Sequence, residues 1–519
     1  MNLSGRTGIL SADRHLSLDA LSASSRRAAS GFASLGVQQG ARVALLLRND
    51  FAFLQATQGA ALLGASTVPL NWHLTPEEVA YILVDCGARV LVVHADIFPP
   101  AVQAVVARCG VSAIVVRTPP EVRHAYAAAA ETTQPAGFPE WESWLGTFEP
   151  WQAGAAPIVG PMFYTSGTTG VPKGVQRAGN VPPEVAQAAQ RRTIAAYGLT
   201  AVEGQPPPRA VMTGPLYHSA PNAYGMNVVR SGGLLVLQPK FDAGELLALI
   251  ESHSITHLHM VPTMFVRLLA LPAEVRARHD LSSLRCVMHG AAPCPPEVKR
   301  QMIEWWGPVI GEYYAMTETG IITVSDSAQW LAHPGTVGRP ALGVQIRIDG
   351  DDGRPVPPGQ AGEICIRSET TDFVSYHHAE AKTQSLRRDG FLCTGDVGYL
   401  TDDGLLFIND RKSDMVIAGG VNIYPAEIEA VLLNLPGVKD AAAFGLPDAE
   451  MGERVVAAVE RSDETLTQAD VMTGLRARLA SYKLPREIRF DLTLPREDSG
   501  KVKKRLLREQ WLATGASQS

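Results

Sequence analysis

The stretch Thr165-Ser166-Gly167-Thr168-Thr169-Gly170-Val171-Pro172-Lys173-Gly174 holds four hydroxyl side chains, three glycines and one lysine in ten residues. Glycine tolerates φ > 0 and lets backbone N–H groups approach a ligand closely. Serine and threonine hydroxyls donate to phosphate oxygens, and a lysine adds a mobile point charge. The chemistry that suits this set is the holding of a polyphosphate. The order is not that of the G-x-x-x-x-G-K-[ST] loop, because Lys173 follows Gly170 by three and precedes Gly174. Before the loop, Pro157-Ile158-Val159 reads as a short buried strand, so a strand is expected to run into it.

The segment resembles the signature loop of the adenylate-forming, AMP-binding superfamily, which contains acyl-CoA synthetases, peptide-synthetase adenylation domains and beetle luciferases. Further matches follow in that family's order, from about Leu18 to Arg508. Gly214-Pro215-Leu216-Tyr217-His218-Ser219 resembles the segment at the carboxylate end of the acyl pocket. Met288-His289-Gly290-Ala291-Ala292-Pro293 is similar to the turn between the adenine and acyl sites. Glu312-Tyr313-Tyr314-Ala315-Met316-Thr317-Glu318 and Cys393-Thr394-Gly395-Asp396 follow. Gly419-Gly420-Val421-Asn422-Ile423-Tyr424-Pro425-Ala426-Glu427 and Ser499-Gly500-Lys501 complete the set.

The resemblance implies roles at these positions. Thr165, Ser166, Gly167, Thr168, Thr169, Gly170 and Lys173 would hold the phosphates of ATP. Tyr314 would stack on adenine, Thr317 would touch a phosphate, and Glu318 would hold Mg²⁺, which takes a carboxylate together with phosphate oxygens. Asp396 and Arg411 would reach the ribose. Lys501 would be the catalytic lysine, bridging the carboxylate and the α-phosphate as negative charge builds. His218 would stand at the reacting carboxylate, with Tyr217, Asn222, Tyr224, Met264, His289, Gly290 and Ala291 lining the acyl pocket. Gly419 and Gly420 would border the passage for the thiol of coenzyme A. Two positions depart from the family pattern. Ala315 stands where a glycine is usual, which tightens the nucleotide site by one methyl. Ser413 stands where the hinge residue is usually Asp or Lys.

These residues need a scaffold. A chain of 519 residues exceeds one core. Its 46% hydrophobic and 19% charged content is that of a globular protein. A net charge of -6 argues against nucleic acid as a partner. No signal peptide or transmembrane run is apparent, so a cytoplasmic protein is expected. The six cysteines form no C-x-x-C pair; they are expected to be reduced, and no zinc site is expected. Apolar runs at 42–47, 89–93 and 111–116 alternate with helical patterns such as 51–64. Thr75-Pro76-Glu77-Glu78 reads as a capping box. Residues 118–154 read as a surface excursion. Strands are expected at 210–212, 234–237, 255–261 and 284–288, with a helix at 243–252. Such βα alternation predicts parallel sheets covered on both faces.

After Gly335 the period becomes two, at 344–348 and 363–367, and Asp402-Asp403-Gly404 reads as a hairpin turn. About a hundred residues of mixed α and β close the chain. They are read as helix at 425–433, strand at 454–460, helix at 468–482 and strand at 486–492. The fold expected is a large α/β N-terminal domain, residues 1–411, built of two packed βα sheets and a small antiparallel subdomain. A small, mobile α+β C-terminal domain, residues 412–519, would follow. The resemblance implies an AMP-forming acid–CoA ligase using ATP, Mg²⁺ and coenzyme A on a small carboxylic acid, and the mixed aromatic and polar set Tyr217, Asn222, Tyr224, Met264 and His289 leans toward an aryl, arylpropenoid or medium-chain acid over acetate. Loading of an acyl or amino acid onto a carrier protein is the alternative. The residues after His218 are Ser219, Ala220 and Pro221, with no acidic group for an ammonium, which disfavours an amino acid. A homo-oligomer is left open.

Overall fold

The computed structural model describes residues 6–128, 134–154, 156, 159–165, 172–177, 181–418, 421–448, 451–497 and 500–515. Two parallel sheets form the large part of the molecule. One has four strands, ordered Ser66–Pro69, Arg42–Leu46, Ala88–His94, Ser112–Val116. The other contains the parallel run Gly8–Ser11, Leu234–Leu237, Arg209–Met212, His257–Met260, Cys286–His289, Ile310–Met316. A single apolar cluster joins them. Leu21, Phe32, Phe53 and Ala60 on the helices Leu18–Ser34 and Phe51–Leu62 share it with Val43 and Val92 of one sheet and Leu235 and Met288 of the other. The helices are therefore shared between sheets, as expected. The Thr75 capping box is present in full, with Pro76 opening the helix Pro76–Asp85.

The antiparallel portion is not detached from the second sheet. Ile310–Met316 pairs with Gly320–Ser325, which pairs with Thr336–Pro340, then Leu406–Arg411, then Phe391–Leu400 and onward. Expected as a small antiparallel subdomain, it is antiparallel and continues the second sheet to 14 strands. Beyond Arg411 a five-stranded sheet has apolar clusters of its own, around Ile428, Leu432 and Val455 on one face and Phe444, Leu507 and Trp511 on the other. Its longest strand, Val438–Asp448, has an alanine-rich sequence that gave no period-two signal. The helix Gln468–Arg476 ends earlier than expected, and the strand near its end is only Glu487–Arg489.

Other expectations need correction. Residues 118–154 are not a surface excursion: the helix Trp141–Gly146 buries Trp141 completely, and its indole N–H donates to Gln55 Oε1 at 2.9 Å. Pro157 and Ile158 lie outside the described residues and Val159 is not in a strand; the strand that enters the phosphate loop is Phe163–Thr165. Cys365 and Cys393 are not reduced thiols. They stand opposite each other on Gly362–Arg367 and Phe391–Leu400, and their sulfurs are bonded. Cys86, Cys109, Cys286 and Cys294 remain free. A thiol titration in denaturant should therefore find four groups before reduction and six after; six before reduction would show the pair open.

Candidate functional site

A three-stranded sheet prepares the phosphate loop. Phe163–Thr165 and Lys173–Arg177 form a hairpin in which Thr165 faces Lys173, and Val374–Tyr376 adds to its second strand. Its flanks are tied to the helix Pro76–Asp85: the Tyr164 hydroxyl donates to Asp85, the Tyr81 hydroxyl donates to Pro172 O at 3.2 Å, and His377 Nε2 meets Asp85 O at 3.0 Å. Ser166, Gly167, Thr168, Thr169 and Gly170 themselves lie outside the described residues.

The third strand also delivers Tyr376, which no local motif marks. Its hydroxyl donates to Glu318 Oε1 at 2.6 Å. Burial, then the Glu318 charge, raises the pKa of this phenol, so it stays a donor. Lys382 lies 5.0 Å from the Tyr376 ring and close to Lys173. Burial, then Lys173, lowers its pKa, while Glu318 opposes the shift. Two ammonium groups and one nearly buried carboxylate thus gather beside the hairpin. Glu318 sits in the turn between Ile310–Met316 and Gly320–Ser325. One hydrogen bond leaves a carboxylate further lone pairs, and a single carboxylate with substrate phosphates is a donor set that fits Mg²⁺. Among the described residues the one cluster of three metal-ligand types is Asp349, Cys365 and Cys393, whose two sulfurs are bonded to each other.

Tyr314 and Asp396 meet from different strands. The Tyr314 hydroxyl donates to Asp396 Oδ2 at 2.5 Å, and Arg411 Nε lies 3.4 Å from Asp396 Oδ1. Register explains the second contact, since Asp396 and Arg411 are cross-strand partners. Burial, then the Asp396 charge, raises the Tyr314 pKa well above the ordinary phenol value. A β-irregularity falls between Tyr314 and Ala315, at the residue that departs from the family pattern.

Lys501 comes from the C-terminal part. Its turn is closed by Glu497 N–H donating to Lys501 O and Gly500 N–H donating to Glu497 O, both at 2.8 Å. Arg496 holds the turn from behind through Asp440. Gly500 has φ +82°, and a Cβ there would stand 2.7 Å from the Thr263 side chain, so the turn rests directly on the helix Pro262–Leu269. Arg411, Glu497, Asp414 and Asp396 all lie near enough for their charges to act on the Lys501 ammonium. Burial first, and Arg411 second, lower its pKa below the usual lysine value. Gly419 and Gly420 lie outside the described residues. Ser413 occupies the turn in which Asp414 N–H and Met415 N–H both donate to Arg411 O at 3.0 Å.

Of the acyl candidates, Tyr217, Tyr224, Met264, His289 and Gly290 are buried, His218 is half-buried and Ala291 is exposed. His218 precedes the helix Ser219–Arg230, its ring 4.5 Å from that of Tyr217. Ser219 Oγ lies 3.5 Å from Thr317 Oγ1, which joins this end to the Glu318 turn. Tyr224 packs edge-on to Tyr197 and tilted against His259, whose Nε2 meets the Tyr313 hydroxyl at 2.7 Å. A Cβ on Gly290 would stand 2.7 Å from the Tyr313 ring, so that glycine is needed for Tyr313 to fit. Ala291 follows at φ +70°. His289 and Met264 are buried, with Phe265 edge-on to the imidazole at 5.2 Å. Behind His289, Lys299 Nζ pairs with Glu312 Oε2 at 2.6 Å. Burial, then Lys299, holds the His289 pKa well below its usual value, so the ring is neutral. Asn222 is buried, and its amide donates to Leu216 O at 3.0 Å. It works with Asn49, which donates to Gly214 O and accepts from Leu216 N–H, to fix the His218 loop. Nothing in the local sequence marks Asn49, Tyr376 and Lys382, and Tyr313, though inside a family motif, carries no expected role there.

Residues 3–372 match the AMP-binding enzyme family, and residues 427–501 match the AMP-binding enzyme C-terminal domain. The chain belongs to this adenylate-forming family. A feruloyl-CoA synthase of Amycolatopsis sp is 33% identical over 93% of this chain and 92% of its own. A long-chain-fatty-acid–CoA ligase of Mycobacterium tuberculosis is 31% identical over 97% of this chain and 95% of its own. The structure of an anthranilate CoA ligase in complex with anthranoyl-AMP superposes with TM-score 0.84 and 26% identity, covering 99% of this chain and 95% of that one. The family resemblance and the two-part α/β architecture expected from the sequence both hold. Among the described residues no helix is long and apolar enough to cross a membrane.

Proposed function

We propose that this adenylate-forming acyl-CoA ligase activates an aryl or arylpropenoid acid, or a medium-chain acid, with ATP and transfers the acyl group to coenzyme A. The acid oxygen attacks the α-phosphate, giving the acyl-adenylate and pyrophosphate. The thiol then attacks the acyl carbon, and AMP leaves in place of the poor leaving group oxide. The observation that carries this reading is the meeting of Tyr314, Asp396 and Arg411 from three separate strands at a spot where the Asp396 and Arg411 charges also act on Lys501.

In this reading Tyr314 supports adenine and Asp396 with Arg411 binds the ribose. Thr165, Lys173 and the hydroxyls of Ser166, Thr168 and Thr169 hold phosphate oxygens, with Gly167 and Gly170 opening the loop for them. Thr317 contacts phosphate. Glu318 holds Mg²⁺, which when bound neutralises phosphate charge. Lys501 bridges the carboxylate and the α-phosphate in the first step. His218 orients the carboxylate, and Tyr217, Tyr224, Met264, His289, Gly290 and Ala291 surround the acyl group. The aromatic character of that wall favours a ring over a flexible chain. Gly419 and Gly420 border the thiol passage. We place the domain boundary after Arg411, giving residues 1–411 and 412–519 with Ser413 as the hinge, and the site of action in the cytoplasm.

The deciding measurement is pyrophosphate and AMP release over a panel of acids, with and without coenzyme A. Acid-dependent pyrophosphate release with AMP release only on adding coenzyme A supports the reading. AMP release that needs a carrier protein instead would move the carrier-loading alternative to the front. For Glu318, Glu318→Gln should keep the fold and raise the Mg²⁺ concentration needed for half-maximal pyrophosphate release about tenfold or more, the loss expected when a charged ligand becomes neutral. An unchanged Mg²⁺ dependence would remove Glu318 from the metal.

A further inference from the structure

The helix Pro425–Leu432 opens without a cap of its own. Tyr424 at its N-cap makes no side-chain cap bond, and Pro425 has no N–H to offer. The next donor, Ala426 N–H, is satisfied from across the boundary by Asp410 Oδ2 at 2.9 Å. Asp410 belongs to the strand Leu406–Arg411, one residue before Arg411. A carboxylate at that place completes an orphan helix donor and meets the positive end of the helix dipole.

A second contact supports the same arrangement. Lys504 Nζ pairs with Glu429 Oε1 at 2.9 Å, and Asp410 and Asp414 both attract the same ammonium. Lys504 opens the C-terminal helix, three residues beyond Lys501. Asp410 thus acts on the helix Pro425–Leu432 and on Lys504, at the start of the helix that follows the Lys501 turn, and its other oxygen accepts from Arg411 N–H at 2.7 Å. The charged groups around it are Lys504, which attracts it, and Glu429, which opposes it.

We propose that Asp410 is a positioning residue for the adenylation step: it clamps the C-terminal part in the orientation that turns Lys501 toward Asp396 and Arg411. The inference rests on the ligase reading above for its kinetic consequence, but not for its mechanical one. In Asp410→Ala, acid-dependent pyrophosphate exchange should fall about tenfold, the scale of one lost helix cap. Coenzyme A-dependent AMP release from supplied acyl-adenylate should stay unchanged or rise. Asp410→Asn keeps an oxygen for Ala426 N–H but loses the attraction for Lys504, so it should fall between wild type and Asp410→Ala. The independent readout is tryptic cleavage at the exposed Arg411 and Lys412 in the substrate-free full chain. It should accelerate several-fold in Asp410→Ala and much less in Asp410→Asn, with the thermal midpoint of the large part unchanged. Equal loss in both half-reactions, or unaltered cleavage, overturns the clamp. If the wild type makes no pyrophosphate from any acid, the ligase reading fails while the cleavage result still decides Asp410.

Discussion

Lys501→Ala should lose roughly 10² to 10³ in adenylation rate, the scale of one donor aimed at developing charge. The side chain reaches the site on a turn braced by Arg496–Asp440 and seated on Thr263, so truncating it removes the ammonium and leaves the backbone in place. Thioester formation from supplied acyl-adenylate should change far less. The pH profile offers a further check. Burial and Arg411 lower the Lys501 pKa, so its charged form is lost at a lower pH than that of a free lysine. The alkaline limb of wild-type adenylation should therefore begin below the usual lysine range and vanish in Lys501→Ala. Equal loss in both half-reactions would show that Lys501 serves the fold or both steps.

The second large effect concerns stability. Lys299 is fully buried, pairs with Glu312 at 2.6 Å, and lies 4.8 Å from the Trp330 ring. Removing one partner of a buried pair strands the other charge, which typically costs about 3–5 kcal/mol. Lys299→Met should lose this much in chemical denaturation at neutral pH, and Lys299→Met with Glu312→Leu should recover most of it. The sign with pH follows from Glu312. Burial raises its pKa and Lys299 pulls it back. Without Lys299 the folded-state pKa rises further above the unfolded one, so the folded state binds the extra proton. Stability of the single variant should therefore be greatest below the unfolded carboxyl pKa and decline as pH rises toward the folded one. A single variant as stable as wild type at pH 8 would contradict a charged pair.

What the sequence revealed and what it concealed divides by range. The Thr75 capping box, the apolar parallel strands and the period-two strands at 344–348 and 363–367 are local patterns, and each has its counterpart in the structure. Asp396, Arg411, Tyr314 and Lys501 could be named from motif order, but their meeting depends on register and on a turn docked from the other part. Tyr376 was invisible because its strand pairs with one about two hundred residues earlier. The Cys365–Cys393 bond likewise follows from strand register, which a spacing of 28 residues does not announce. The bond from the buried Asn222 amide to Leu216 O was equally hidden, because which backbone carbonyl a buried amide satisfies depends on how the loop folds.

The phosphate loop joins two antiparallel strands, and no helix begins at its end. A nucleotide loop that opens a helix adds the fixed partial charge of the helix N-terminus. Here the positive charge described at the hairpin resides on Lys173 and Lys382, the tips of two long, flexible side chains. Charge of that kind is felt through an ionic atmosphere whose screening length is about 8 Å at physiological ionic strength and roughly 3 Å at 1 M. The affinity of this site for ATP should accordingly weaken steeply with added salt, and the apparent KM for ATP measured from about 0.05 to about 0.5 M KCl should climb while the inhibition constant of an uncharged analogue of the acid stays level.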